Sequence, residues 1–345
     1  MLRIPIVSTI DGLASAVRAR LPASPLLSQL SLDVVELPAP VETATALEWR
    51  LTDAQSSALS DAKLLLADAS IGAKLMLPNG SNGLPKPQQQ LLGRVEWVQS
   101  TFAGIEPFFK QLERQNEPPT FAVTRAGGVM PWVVALERQF LTAAEHQRQR
   151  EYAQAQLRYR SYQSLTIGVL GLGDIGRAVG RLLKTAGFHV LGFKRQVTPE
   201  EQQALADSAD SVTTDLDALL EQSDYLVNVL PSTAATRYLL TEERLEKCRA
   251  KQPVLINVGR GDVIAEATII KALDGGLLSK CVLDVFEVEP LPTASPLWTH
   301  AGVHLTPHVA ALSLPEDVAD VFVRNLERFV QAEPLLFPVD WTRGY

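Results

Sequence analysis

Leu165 to Phe193 reads LTIGVLGLGDIGRAVGRLLKTAGFHVLGF, and this stretch decides the fold. Ile167, Val169 and Leu170 form a short apolar run that fits a buried strand, and Gly171, Gly173 and Gly176 follow at G-x-G-x-x-G spacing. Ile175, Ala178, Val179, Leu182 and Leu183 then fall at i, i+3, i+4, i+7 and i+8, one apolar stripe of an amphipathic helix that Gly187 ends. A second apolar run, Val190 to Phe193, completes a β-α-β unit in which a dinucleotide pyrophosphate sits on the helix N-terminus. The glycines serve the tight turn, the approach of backbone to phosphate and the packing of helix on strand. The motif alone is a weak signal, and a purely structural glycine turn is the alternative; its setting between strand and helix is what carries the reading.

The chain has 345 residues, enough for about two domains. Apolar residues make up 46% and charged ones 21%, the composition of an ordinary globular protein. With 32 basic and 39 acidic residues the formal charge is −7, so no basic footprint argues for nucleic acid or an anionic membrane. The two cysteines, Cys248 and Cys281, form no C-x-x-C and imply neither a disulfide framework nor a metal site. No run approaches a membrane span and MLRIPIVSTID lacks the features of a signal peptide, so a cytoplasmic protein is expected.

Outward from the glycine motif, strand-like runs recur. Before it they are Ile4 to Val7, Leu32 to Leu37, Leu64 to Ala67, Val95 to Gln99 and Phe121 to Thr124. After it come Tyr225 to Leu230, Val254 to Val258, Cys281 to Val285 and Val303 to Thr306, with helix-like stretches such as Glu242 to Ala250 and Glu266 to Leu273 between. This alternation predicts doubly wound parallel sheets. Met130 to about Tyr159 reads as one helix, polar on nearly every face from Glu145 onward. The stretch 78–90 reads as a surface loop and tolerated insertion. The amphipathic helix Glu316 to Val330 is expected to return to the first domain and make it discontinuous. The fold class is therefore α/β, with two Rossmann-like doubly wound parallel-sheet domains: 1–103 plus 316–345 as the smaller, substrate domain, and 104–315 as the NAD(P)-binding domain.

In open parallel sheets the ligand lies beyond the carboxyl ends of the strands. Three such ends carry polar residues: Arg260 in INVGRGD, Asp284 in LDVFEVEP with Glu289 just after it, and His308 in LTPHVAALS. Arginine offers a two-pronged donor for a carboxylate, histidine is the natural acid/base near neutral pH, and an adjacent carboxylate orients and charges it. Together they suit carbonyl reduction of an oxoacid. The bland readings are a surface ion pair for Arg260, a solvated loop position for Glu289 and a structural hydrogen bond for His308.

These motifs, with WVQSTFAGIE, VLGLGDIGR and SPLW in the same order, make the stretch from Trp97 to Phe329 resemble the D-isomer-specific 2-hydroxyacid dehydrogenases, and most of all their glyoxylate and hydroxypyruvate reductase branch. Met1 to Lys86 matches only in general layout. By that resemblance His308 protonates the substrate carbonyl oxygen, Glu289 holds and charges it, and Arg260 binds the carboxylate. The loop Thr101, Phe102, Ala103 and Gly104 grips the same carboxylate through backbone N–H groups, and Trp298 closes the substrate pocket or packs in the core. Asp174 and Ile175 join the glycines at the pyrophosphate; Leu230, Pro231, Val258 and Gly259 line the nucleotide, and Asp284 meets the carboxamide. A homodimer through the nucleotide-binding domains and a small-molecule oxoacid substrate are also implied.

Three departures stand out: Trp132 where the family often has an acid, no Gly-Lys before the first nucleotide strand in SYQSLTIG, and Lys194-Arg195 where an NAD enzyme has Asp. Lys194 lies 18 residues after Gly176, close to the ribose-binding position, so NADP(H) is expected to be preferred, with NAD(H) as the alternative cofactor. Plain surface charges are the bland reading of that pair. A nucleotide-sensing corepressor or scaffold on the same fold is the competing function, and formate dehydrogenase a weaker one, since Gln rather than Glu289 is typical there.

Overall fold

The computed structural model describes residues 1–42, 47–77, 84–102, 104–108, 122–124 and 132–341. The chain divides into two compact units, Met1–Gly127 with Leu312–Tyr345, and Gly128–Ala311.

In the first unit, β1 (Leu2–Val7), β2 (Leu32–Glu36), β5 (Leu64–Ala67), β6 (Trp97–Ser100) and β7 (Ala122–Thr124) form one parallel sheet in the order β2-β1-β5-β6-β7. A small antiparallel pair, β3 (Val41–Glu42) and β4 (Leu47–Glu48), stands apart from it. β5 reads LLLA and is wholly buried, as a strand covered on both faces must be. The connecting helices are α1 (Leu13–Arg20), α2 (Asp53–Ser60), α3 (Ala69–Met76) and α4 (Lys86–Gln90). Thr52 and Gln55 start α2 with a reciprocal capping box. The C-terminal helix Pro315–Val330 packs Val318, Ala319, Phe322 and Leu326 into one cluster with Leu13, Ala14 and Val17 of α1, and Phe322 stacks on Trp97 at 5.6 Å. The first unit is therefore discontinuous in sequence, as its amphipathic last helix implies.

The second unit is built on a seven-stranded parallel sheet. Its strands are β8 (Thr166–Leu170), β9 (His189–Phe193), β10 (Ser211–Thr213), β11 (Tyr225–Asn228), β12 (Val254–Asn257), β13 (Lys280–Leu283) and β14 (Val303–Leu305), in the order β10-β9-β8-β11-β12-β13-β14. The order reverses between β8 and β11, the switch point where such sheets hold ligands. The strands YLVN and VLIN are buried at every position, and apolar clusters cover both faces. The helices that matter below are α5 (Trp132–Glu137), α6 (Phe140–Gln149) and α7 (Asp174–Thr185).

An ionic cluster closes the amino edge of this sheet. Arg160 bridges Glu137 and Asp224, Tyr225 donates its hydroxyl to Glu137 at 2.9 Å, and Lys251 reaches Asp224 at 3.2 Å. Burial raises the Glu137 carboxyl, but hydrogen bonds from Arg160 and Tyr225 outweigh it and hold the group below its ordinary value. Burial and the Glu137 bond push the Tyr225 phenol up.

Three expectations change. The helix expected from Met130 to Tyr159 is two shorter ones, because Gln139 takes a left-handed backbone (φ 53°) between α5 and α6 and Arg150 (φ 59°) ends α6. The chain then turns back so that Arg160 meets Glu137. The first unit extends past the expected boundary at 103/104, since β7 pairs with β6, and its return begins at Leu312 rather than at 316. Strand ends such as Val258, Leu230 and Val285 belong to loops; Asn228 and Asn257 turn the chain after β11 and β12 by accepting from Leu230 N and Gly259 N. Phe121, Ala103 and positions 78–83 of the expected loop lie outside the described residues.

Candidate active site

The glycine loop leaves β8 at Gly171, whose φ of 99° no residue with a Cβ adopts without strain. Gly173 is the N-cap of α7 and offers no side-chain cap, so the first N–H groups of the helix, at Asp174 and Ile175, face outward past open space: a Cβ on Gly173 would meet nothing within 4 Å. A Cβ on Gly176 would fall 1.8 Å from the Gly171 carbonyl oxygen, so the helix rests on the turn only because that position is glycine. An uncapped helix start with a vacant approach fits the pyrophosphate of a dinucleotide.

At the end of β9, Lys194 is held 3.4 Å from Glu201 and Arg195 is exposed. After β11 and β12 the chain forms two loops joined by a buried amide pair: Asn228 Nδ2 donates to Asn257 Oδ1 at 2.8 Å. The free ends of the pair shape the loops, with Asn228 accepting from Leu230 N, and Asn257 accepting from Gly259 N while donating to the Arg260 carbonyl. Ser232 adds a bond to Asp262 at 2.5 Å. The loop of Leu230 and Pro231 and the loop of Val258 and Gly259 thereby lie side by side at the carboxyl ends of β11 and β12. A Cβ at Gly259 would lie 2.8 Å from the Leu230 carbonyl oxygen. Arg260 has an extended backbone, is half-buried, and donates to the Gly259 carbonyl at 2.7 Å.

Asp284 follows β13 and is 1% exposed. Its carboxylate accepts from Thr306 Oγ1 (2.6 Å), Val309 N (2.9 Å) and Ala310 N (2.9 Å), and its carbonyl from His308 N (2.8 Å). The expected carboxamide contact thus has one of roughly four acceptor sites left, and the main work of Asp284 is to mould the loop that carries His308. That loop holds His308 at a φ of 55°, a strained setting for a side chain that size. The imidazole Nδ1 lies 2.7 Å from Glu289 Oε2, and Glu289 Oε1 accepts from Phe286 N at 2.9 Å. The ring is 53% exposed and so is not a core residue. A Cβ on Gly261 would be 1.9 Å from the Phe286 carbonyl carbon, so the Arg260 and Glu289 loops lie against each other.

Trp298 is 53% exposed, with its indole N–H on the Pro292 carbonyl at 3.0 Å; Leu297 is the residue buried there, which removes the core-packing reading of the tryptophan. In the first unit Thr101 is fully buried and its N–H donates to the Ala67 carbonyl, while Phe102 N donates to Ser100 Oγ at 3.3 Å. Two of the four expected backbone donors are therefore engaged within the protein. The Asn228–Asn257 pair and the moulding role of Asp284 escape a reading of the sequence; an asparagine closing each of two neighbouring buried strands was the available signal. Among the described residues no group of three or more His, Cys, Asp or Glu is placed to hold a metal ion, and no helix is long and apolar enough to cross a membrane.

Comparison with known proteins fits this geometry. Residues 130–310 match the family model described as D-isomer specific 2-hydroxyacid dehydrogenase, NAD binding domain. The glyoxylate/hydroxypyruvate reductase A of Yersinia enterocolitica is 31% identical over 271 residues, 75% of this chain and 85% of that protein. The D-isomer specific 2-hydroxyacid dehydrogenase of Xanthobacter autotrophicus Py2, solved in complex with NADPH and MES, superposes with a TM-score of 0.72 at 27% identity over 100% of both chains. A probable 2-hydroxyacid dehydrogenase of Rhizobium etli CFN 42, solved with NADP, HEPES and L(+)-tartaric acid, gives 0.70 at 27% identity, again over 100% of both.

Proposed function

We propose, from the premise that this chain belongs to the D-isomer specific 2-hydroxyacid dehydrogenase family and is an NAD(P)-dependent dehydrogenase, that it reduces small 2-oxoacids such as glyoxylate or hydroxypyruvate to D-2-hydroxyacids and prefers NADPH. The observation that carries the reading is the 2.7 Å contact of His308 Nδ1 with Glu289, on a loop packed against that of Arg260. When bound, the nicotinamide supplies the hydride. With Nδ1 engaged by the carboxylate, Nε2 of His308 is the nitrogen that gives a proton to the carbonyl oxygen. Arg260 binds the substrate carboxylate and polarises the adjacent carbonyl. A second carboxylate anchor is assigned to the backbone donors of the Thr101–Gly104 loop, and Trp298 to one wall of the substrate pocket.

Gly171, Gly173, Asp174, Ile175 and Gly176 would hold the pyrophosphate, while Leu230, Pro231, Val258, Gly259 and Asp284 line the rest of the cofactor. Lys194 and Arg195 supply positive charge where the ribose 2′-phosphate of NADP(H) is expected, and the acid that would repel it is absent. Phe140, Leu141, Tyr152, Tyr159 and Tyr162 are each at least half exposed on the second unit, which supports a homodimer formed there. The test is turnover of glyoxylate, hydroxypyruvate and pyruvate with NADPH and with NADH. A protein that binds cofactor yet reduces none of the three is the corepressor-like alternative.

A further inference from the structure

The carboxyl edge of the five-stranded sheet contains a buried carboxylate with no part in the chemistry above. Asp68 follows β5, is 2% exposed and stands at the N-cap of α3. An aspartate there ordinarily accepts from the first-turn N–H groups of its helix. α3 has no such cap. The carboxylate is turned across the sheet instead: Oδ1 accepts from Ser8 Oγ at 2.5 Å and Thr101 Oγ1 at 2.7 Å, and Oδ2 from Thr9 N and Thr9 Oγ1, both at 2.7 Å. A carboxylate has roughly four acceptor sites, so these donors saturate it.

The donors come from the loops after β1 and β6, the two strands that flank β5. The strand order reverses between β1 and β5, so one side chain joins three loops at the switch point of this sheet. Thr101 is tied twice, by its N–H to Ala67 and by its hydroxyl to Asp68, and it is fully buried, so its side chain serves the protein interior. Asparagine would be a poorer substitute, because the Thr9 N–H is a fixed donor and the amide offers one acceptor atom where the carboxylate offers two.

We propose that Asp68 is a positioning residue for the substrate-binding loop that begins at Thr101: through the Thr101 hydroxyl it fixes the start of that loop, removing part of the ordering cost from the step that binds the substrate carboxylate. This rests on the reading of that loop as a carboxylate anchor. Preorganisation of this kind is felt in substrate affinity more than in the rate of the bound complex.

The experiment compares Thr101→Val, Thr101→Ser, Asp68→Ala and the double variant Asp68→Ala/Thr101→Val, at saturating NADPH, with glyoxylate and with its uncharged amide. Thr101→Val keeps the shape and deletes the tie; its KM for glyoxylate should rise about tenfold, the factor set by ~1.4 kcal/mol, with kcat within about threefold. Thr101→Ser, which keeps the hydroxyl, should restore the wild-type KM. The double variant should be no worse than Asp68→Ala, since that substitution already removes the bond that Thr101→Val deletes. KM for the amide should not move. If Thr101→Val leaves KM for glyoxylate unchanged, or lowers only thermal stability, the positioning role is wrong, whatever grip Arg260 gives the acid over the amide. Equal KM for acid and amide in wild type would remove the anchor itself and the proposal with it. The valine and serine variants decide the matter should Asp68→Ala not fold.

Discussion

The two edges of the seven-stranded sheet are both lined with charge, and they use it differently. At the amino edge, Glu137 and Asp224 have side chains only 10% and 8% exposed, and Arg160, Tyr225 and Lys251 meet them from several sides. At the carboxyl edge the histidine of the Glu289–His308 pair is 53% exposed on a strained backbone, with one ring nitrogen committed to Glu289 and the other assigned, in the function we propose, to proton transfer. A closed network stabilises; a half-closed one has a valence left for a substrate. The buried groups Asp284 and Asn257 lie behind the open edge and hold its loops, so that little of the exposed site has to order itself.

The largest expected effect comes from removing the open valence. His308→Ala should lose roughly 100-fold or more in turnover, the usual scale for a general acid, while cofactor affinity measured by fluorescence titration stays within about twofold. Near-normal turnover would mean that the proton comes from elsewhere and that the two edges do not differ as described. Glu289→Gln is a subtler cut. It replaces the charged partner 2.7 Å from the ring by a neutral one, so the hold on the ring is weaker and reduction should slow roughly tenfold. Unchanged turnover would show that Glu289 has no part in positioning the ring.

A third cut tests the far end of the same edge. Arg195→Ala should reduce the ratio of kcat/KM for NADPH over NADH by roughly tenfold, the value of a charge-assisted bond to phosphate. Lys194, restrained by Glu201 at 3.4 Å, should matter less. An unchanged ratio would return both residues to the class of surface charges.

The readable and unreadable parts of the molecule separate along the same physical line. The glycine turn, the buried strands and the helix Asp174–Thr185 follow from residues close in sequence, so periodicity and spacing reveal them. His308 and Glu289, 19 residues apart, were legible as candidates because each lies within a recognisable motif. The Asp68 clamp joins residues 33 to 60 positions apart and the Asn228–Asn257 pair spans 29, and nothing local in an aspartate or an asparagine says which distant loop it will hold. The break at Gln139 is of this kind too. Trp132 to Tyr159 has helical composition throughout, yet the chain turns back because Arg160 finds Glu137 and Asp224, 23 and 64 positions away.

The smallest effect is expected at the closed edge, and its pH dependence has a definite sign. Burial would raise the Glu137 carboxyl, but the Arg160 and Tyr225 hydrogen bonds outweigh burial, so the folded protein holds it below its ordinary value. A carboxyl depressed by folding binds fewer protons in the native state than in the unfolded one, and its contribution is fully present above the unfolded carboxylate range. That contribution fades as pH falls through the lower, folded value. Glu137→Gln should therefore cost about 1 kcal/mol near neutrality, at the modest end for a charged hydrogen bond because Arg160 is half exposed to water. As wild-type Glu137 takes up its proton in acid, the two stabilities should converge, whereas kcat and KM at neutral pH should match throughout. Denaturant melts of both proteins across the acid range measure this directly. A stability gap that stays constant or widens toward low pH, or a loss of turnover in Glu137→Gln, would show that the closed edge is not the separate, purely stabilising network that its geometry describes.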